Sequence, residues 1–178
     1  MDKCIQLYDM VQVRHGLMLI GEASSGKSQI IKTLNAAMNA IDGQENFVKL
    51  ITQTINPKSV LIGQMYGIFD ADSKQWTDGI LPLIMRNFSA MDDTRLKWVI
   101  FDGPVDAVWI ESMNTVLDDN KKLCLTSGEI IRLTNQMAMI FETEDLQHAS
   151  PATVSRCGMV FLESKNIPWS VMIHTFIQ

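Results

Sequence analysis

Leu17-Met18-Leu19-Ile20-Gly21-Glu22-Ala23-Ser24-Ser25-Gly26-Lys27-Ser28 runs four apolar residues straight into a glycine-bounded turn that closes on a lysine and a serine. A segment apolar on both faces reads as a parallel strand covered on both sides. After Lys27 the residues Ile30, Ile31, Leu34, Met38 and Ile41 recur at helical spacing, and Asp42-Gly43 stops the run. Strand, glycine turn and helix therefore follow one another directly. The turn fits G-x-x-x-x-G-K-[ST], a pattern whose chance occurrence in a chain of this composition is on the order of one per cent. Physically, such a turn aims successive backbone N–H groups at phosphates, at a helix N-terminus whose dipole favours negative charge. Gly21, Glu22, Ala23, Ser24, Ser25, Gly26, Lys27 and Ser28 are the predicted phosphate site, with Lys27 reaching the β- and γ-phosphates and the Ser28 hydroxyl holding Mg²⁺.

Working outward, the same alternation continues. Phe47 to Ile55 reads as a second strand broken by Asn56-Pro57, Thr77 to Phe88 as a helix, and Lys97 to Phe101 as a third buried strand ending at Asp102. Ile110, Met113 and Leu117 place a helix between Val105 and Asp119. Two short runs around Thr126-Ser127-Gly128-Glu129 predict a β-hairpin over 123–133. Met137 to Phe141 and Met159 to Leu162 are the fourth and fifth strands, with a short helix at Asp145 to Ala149 between them. The expected fold is α/β, a doubly wound five-stranded parallel sheet in one domain over 1–178, which binds ligands at the carboxyl ends of its strands.

Asp102 arrives at such an end behind the apolar run of the 98–103 segment, where its carboxylate suits the hydration shell of Mg²⁺; capping a strand–helix turn is the other reading. The next residue is Gly103, where an ATPase of this plan has a glutamate that polarises the attacking water. Glycine cannot act as a base, and Asp106 and Glu111 lie further into the next element. The expectation is a site that binds nucleotide and hydrolyses it slowly or not at all.

With 15 Lys+Arg against 20 Asp+Glu in 178 residues, the net charge of −5 gives no reason to expect nucleic acid or an anionic membrane as a partner. No apolar run approaches the roughly 20 residues that span a bilayer. Cys4, Cys124 and Cys157 form no C-x-x-C pair and suit free thiols in a reducing compartment. His15, His148 and His174 have no metal-ligand spacing. Twelve methionines scattered through the predicted elements fit core filling.

Longer strings carry a resemblance. Phe101-Asp102-Gly103-Pro104-Val105-Asp106-Ala107-Val108-Trp109-Ile110-Glu111, continued by Met113-Asn114-Thr115-Val116-Leu117-Asp118-Asp119-Asn120-Lys121-Lys122-Leu123, closely resembles the second AAA+ module of the dynein heavy chain. Val13-Arg14-His15-Gly16, Tyr66-Gly67, Trp76-Thr77-Asp78-Gly79 and Ser150-Pro151-Ala152-Thr153-Val154-Ser155-Arg156-Cys157-Gly158 match as well, and the wording is of the axonemal type. The resemblance implies the P-loop NTPase fold of AAA+ proteins, with β-hairpin inserts, and the large subdomain alone, since nothing after Ile167 is long enough for the helical lid. It implies ATP or ADP with Mg²⁺ as ligands, Lys27 and Ser28 on phosphate and metal, and Asp102 on the metal. It makes Arg156, in the 153–158 corner, a trans arginine finger for a neighbouring module, the other reading being an arginine satisfied by carbonyls. Glu142 stands where AAA+ ATPases carry a polar sensor residue, commonly asparagine, and a carboxylate there repels a γ-phosphate unless a cation bridges them. Implied partners are neighbouring AAA+ modules and the linker of the same heavy chain, with intermediate chains, light chains and microtubules reached only through the full motor, in the cytoplasm and cytoskeleton of a ciliary or flagellar axoneme.

Trp76 reads either as part of an interface or as folded back on its own core. In the family, inserts at these places contact the linker. A self-sufficient P-loop ATPase or small kinase is the alternative function; the small kinases generally supply an arginine-rich lid, and Arg14, Arg86, Arg95, Arg132 and Arg156 are not clustered. A scaffold that binds no nucleotide is the third reading, disfavoured by the intact loop.

Overall fold

All five residues of the first strand and all seven of the strand beside it are buried, which requires a layer of side chains on each face of the sheet. The computed structural model describes residues 1–41, 48–164, 170, 173, 176 and 177. The chain runs through α1 (Asp2–Val13), β1 (Gly16–Ile20), α2 (Lys27–Ala40), β2 (Leu50–Ile55), α3 (Ile62–Tyr66), β3 (Gly67–Phe69), β4 (Trp76–Asp78), α4 (Ile80–Ala90) and β5 (Leu96–Asp102). It continues through α5 (Ala107–Ile110), α6 (Asn114–Leu117), β6 (Lys122–Cys124), β7 (Ile130–Arg132), β8 (Met137–Thr143), α7 (Pro151–Arg156) and β9 (Gly158–Phe161). The expected five strands form one parallel sheet, and its order is β2-β5-β8-β1-β9.

Alternate side chains of each strand serve opposite faces. Leu17, Leu19, Trp98, Ile100 and Ile140 pack against Leu7 of α1 and Ile31, Leu34 and Met38 of α2. Met18, Ile20, Val99, Phe101, Met139 and Phe141 face α3 to α6. There Phe101 stacks on Phe141 and Trp109 with centroids 5.0 and 5.5 Å apart, a packed aromatic layer directly beneath the carboxyl ends of β5 and β8.

Three expectations are corrected, and the two readings of Trp76 are resolved. Thr77 lies in a strand: Trp76–Asp78 pairs antiparallel with Gly67–Phe69, and the helix starts only at Ile80, behind Gly79. The Trp76 ring lies edge-on to Phe69, covers Gly67 and donates its N–H to Asp78 at 2.8 Å, so it folds back on its own hairpin. The helix expected between Val105 and Asp119 is broken into α5, a 3₁₀ turn at Glu111–Met113 and α6, although Ile110, Met113 and Leu117 are all buried as their spacing required. Residues 145–149 form a turn in which Asp145 Oδ1 accepts the Gln147 N–H. The helix comes after it, capped by Ser150 with Pro151 at its first position, a start signal of ordinary kind. The sequence reading assigned nothing to 2–13, where α1 buries Leu7 alone. Asp42-Gly43, Phe47, Ile167 and His174 fall outside the described residues. Among the described residues, no helix is long and apolar enough to cross a membrane.

Two polar side chains, one buried and one half-buried, tie layers together. Lys97, fully buried in β5, donates to the Met91 carbonyl at 2.9 Å at the end of α4 and pairs with Asp93. Half-buried His15 donates from Nε2 to the Val116 carbonyl at 2.9 Å, joining β1 to α6. Urea unfolding should show Lys97→Ala less stable by about 3 kcal/mol, through a cavity and an orphaned carbonyl, and Lys97→Met by about 1–2 kcal/mol, since the stem is kept and only the donor is lost. Burial, aided by Lys121 and opposed by the Val116 hydrogen bond, lowers the His15 pKa below its ordinary 6.5. The unfolded chain therefore binds more protons between the two values, so the contribution of His15 is complete above the unfolded pKa and declines as pH falls through it. Against His15→Gln, which keeps an N–H donor, the wild type should lose relative stability in chemical melts between about pH 7.5 and about pH 5.5.

Candidate nucleotide site

β1 delivers Gly21 to the carboxyl edge of the sheet, where its N–H donates to the Thr143 carbonyl. A Cβ on Gly21 would lie 2.3 Å from the Leu162 carbonyl oxygen and 2.7 Å from Ser25 Oγ, so only glycine fits. Ser24 and Gly26 then take left-handed φ values of +62° and +88°. Alternating the hand of the backbone turns successive N–H groups into one concavity, an anion nest. Gly26 caps the 14-residue α2, whose dipole points at that concavity.

Inside the loop, Lys27 Nζ donates to the Gly21 and Glu22 carbonyls at 2.6 and 2.8 Å; those carbonyls occupy donors that phosphate oxygens compete for. Ser25 is 2% exposed, and among the described residues its Oγ has no hydrogen-bond partner. A buried hydroxyl left unpaired is costly, and at this position a bound phosphate would supply an acceptor. The residues present fit a nucleotide phosphate. Ser164 ties the loop from outside by donating to Glu22 Oε2 at 2.7 Å, a contact for which the sequence carries no signal.

The metal side is built by strand register. Asp102 stands beside Glu142, and Glu142 beside Leu19. Glu142 is 5% exposed, and its Oε2 accepts the Ser28 hydroxyl at 2.6 Å. Burial is the main cause raising its pKa above the carboxylate norm; the Ser28 hydrogen bond opposes this, and the Asp102 charge adds to it. Two carboxylates and a hydroxyl make a hard oxygen donor set that suits Mg²⁺. The fold thus brings together residues 21–28, Asp102 and Glu142.

Other sequence candidates lie elsewhere. Gly103 is packed, with a Cβ position 3.1 Å from Pro57 Cδ. Asp106 spends Oδ1 on the Val108 N–H as the cap of α5, and Glu111 is exposed in the following 3₁₀ turn. Arg156 precedes Gly158, which pairs with Leu17 at the amino end of β1, so it belongs to the opposite end of the sheet from the phosphate loop. It donates from Nε to Asp118 and from a terminal nitrogen to the Ala152 carbonyl at 2.8 Å. The neighbouring Cys157 is buried, which pushes its thiol up to about 12 and leaves it unreactive.

Sequence reasoning missed the cavity of about 240 Å³ beside the loop, lined by Cys4 of α1, Gln29, Ile30 and Thr33 of α2, and Leu162. Recognising α1 was the prerequisite, and its one buried residue left little periodicity to find. The cavity has apolar walls and polar edges, which suits a planar heterocycle next to the phosphates.

Residues 16–157 match the model of an AAA domain, dynein-related subfamily. The chain is 57% identical over 166 residues to rat dynein axonemal heavy chain 1, covering 90% of this chain and 4% of that protein. It is 49% identical over 181 residues to human dynein axonemal heavy chain 12, covering 99% and 6%. With mouse dynein axonemal heavy chain 3 it shares 50% over 178 residues, covering 98% and 4%. The chain therefore spans about one-twentieth of the length of these relatives. The span matched by the family model covers the first four strands of the sheet, the phosphate loop, Asp102 and Glu142, and on that match the chain belongs to the dynein-related AAA domains.

Proposed function

We propose that this chain is the nucleotide-binding large subdomain of the second AAA+ module of an axonemal dynein heavy chain, and that it holds Mg·ATP or Mg·ADP with little or no hydrolysis. The observation that carries the reading is the pairing of an intact phosphate loop, with its orphaned buried Ser25 hydroxyl, and a packed glycine at position 103. Binding needs the nest, Lys27, Ser28 and Asp102. Hydrolysis needs in addition a base that orients water, and the nearest carboxylate of the next segment, Asp106, is committed to capping.

Lys27 neutralises phosphate charge once released from its loop carbonyls, and Asp102 orients the metal's water shell. Mg²⁺ held by Ser28 and the acidic strand ends would supply charge neutralisation for the phosphates. Arg156 faces away from this chain's own loop and is offered to the site of a neighbouring module, where a guanidinium in trans stabilises charge on a transferred phosphoryl by up to about 10³–10⁵ in rate. The surrounding modules and linker of the same heavy chain are its direct partners. Intermediate chains, light chains and microtubules are engaged through the whole motor, in the axonemal cytoskeleton. A self-sufficient ATPase or kinase is disfavoured by the same missing base.

Calorimetry should show Mg-ATP binding to the chain that Lys27→Ala weakens by about tenfold or more, with no phosphate released from the same sample over several minutes; rapid single-turnover release would overturn the reading. In a whole axonemal heavy chain, Arg156→Ala should lower the motor's phosphate-release rate by about tenfold or more while nucleotide binding by this module is unchanged. An unaltered rate would leave Arg156 as a structural arginine.

A further inference from the structure

Glu142 keeps unusual company. It is a nearly inaccessible carboxylate that accepts the neutral hydroxyl of Ser28, and among the described residues it forms no ion pair. Lys27 spends two donors on the carbonyls of its own loop. The neighbour in strand register is a second carboxylate, Asp102, on a strand about 4.8 Å away. Lys27 and Lys32 act on Glu142 by charge alone, without an ion pair, and burying an anion beside another is costly unless a cation joins them.

The hydrogen bond also sets the polarity of the site. With its proton directed at Glu142 Oε2, the Ser28 hydroxyl keeps its lone pairs free for a cation. Adjacent oxygens around an octahedral Mg²⁺ with bonds of 2.0–2.1 Å lie about 2.9 Å apart, a few tenths beyond the 2.6 Å between Ser28 and Glu142. The donor pair therefore needs little rearrangement.

We propose that Glu142 is a direct ligand of the divalent cation, completing with Ser28 and Asp102 a two-carboxylate site that retains the metal with a nucleoside diphosphate as well as with a triphosphate. This deepens the nucleotide-holding reading and rests on it for the role of the loop, but assigns Glu142 a different task from a sensor of the γ-phosphate. A carboxylate on the metal compensates for the γ-phosphate oxygen that a diphosphate lacks, so the cation stays with either nucleotide. It also removes the repulsion between Glu142 and phosphate, because the cation stands between them.

Mn²⁺ is the probe, followed by the electron paramagnetic resonance signal of the free ion, in titrations of the 178-residue chain alone and with ADP. Glu142→Gln keeps an oxygen acceptor for Ser28 but loses the charge, and should weaken Mn²⁺ binding in the ADP arm by about tenfold or more, with an unchanged circular dichroism melt. Affinity within twofold of the wild type, or a wild type that binds no Mn²⁺ in either arm, overturns the proposal. Should Glu142→Gln fail to fold, Glu142→Asp carries the test, with at least about threefold weakening expected and indifference overturning it. Calorimetry of ADP in EDTA separates the two ideas: Mn²⁺ binding that depends on Glu142 in a chain that binds no ADP supports the metal site and sinks the nucleotide reading, whereas ADP binding with Mn²⁺ affinity indifferent to Glu142 does the reverse.

Discussion

Phe101 stands beside Phe141 and Phe141 beside Met18, and one residue further along Asp102 stands beside Glu142 and Glu142 beside Leu19. This register of three parallel strands is the constraint from which the rest of the site follows. Each strand must bury apolar side chains on both faces, so a slip of one residue would exchange the two apolar layers and withdraw the carboxylates from the edge. The Phe101, Trp109 and Phe141 stack makes such a slip costly, and it lies directly under the residues with chemical roles.

That arrangement separates two kinds of chemistry by the length of a strand. The carboxyl edge carries the phosphate loop, Asp102 and Glu142, and is shaped to attract a polyanion and its cation. The amino edge carries Arg156, held by Asp118 and the Ala152 carbonyl. The two hairpins are tied to each other through Arg86, which bonds Asp78 of β4 and Glu129 next to β7.

The phosphate loop was legible because its geometry is local: Gly21 and Gly26 are required by close approach and positive φ, and the flanking strand and helix announce themselves by periodicity. Buried strands were legible for the same reason. Misread elements were those whose form depends on distant partners. Trp76 to Asp78 became a strand by pairing with Gly67 to Phe69 and covering the glycine with the indole. The segment after Val105 kept its buried face but not its helical continuity: Asp106 caps α5, and a 3₁₀ turn at Glu111–Met113 separates α5 from α6.

By itself, the sequence determined the α/β class, the phosphate loop, the acidic end of the third core strand and the lack of a glutamate after it, because each is written in contiguous residues. Only the tertiary structure decided what Glu142 faces, since that depends on which strands lie side by side and in what register, and no spacing along the chain joins position 28 to position 142. It likewise decided that Arg156 lies at the opposite end of the sheet from its own loop and is paired with Asp118, a consequence of entering the fifth sheet strand from its amino end.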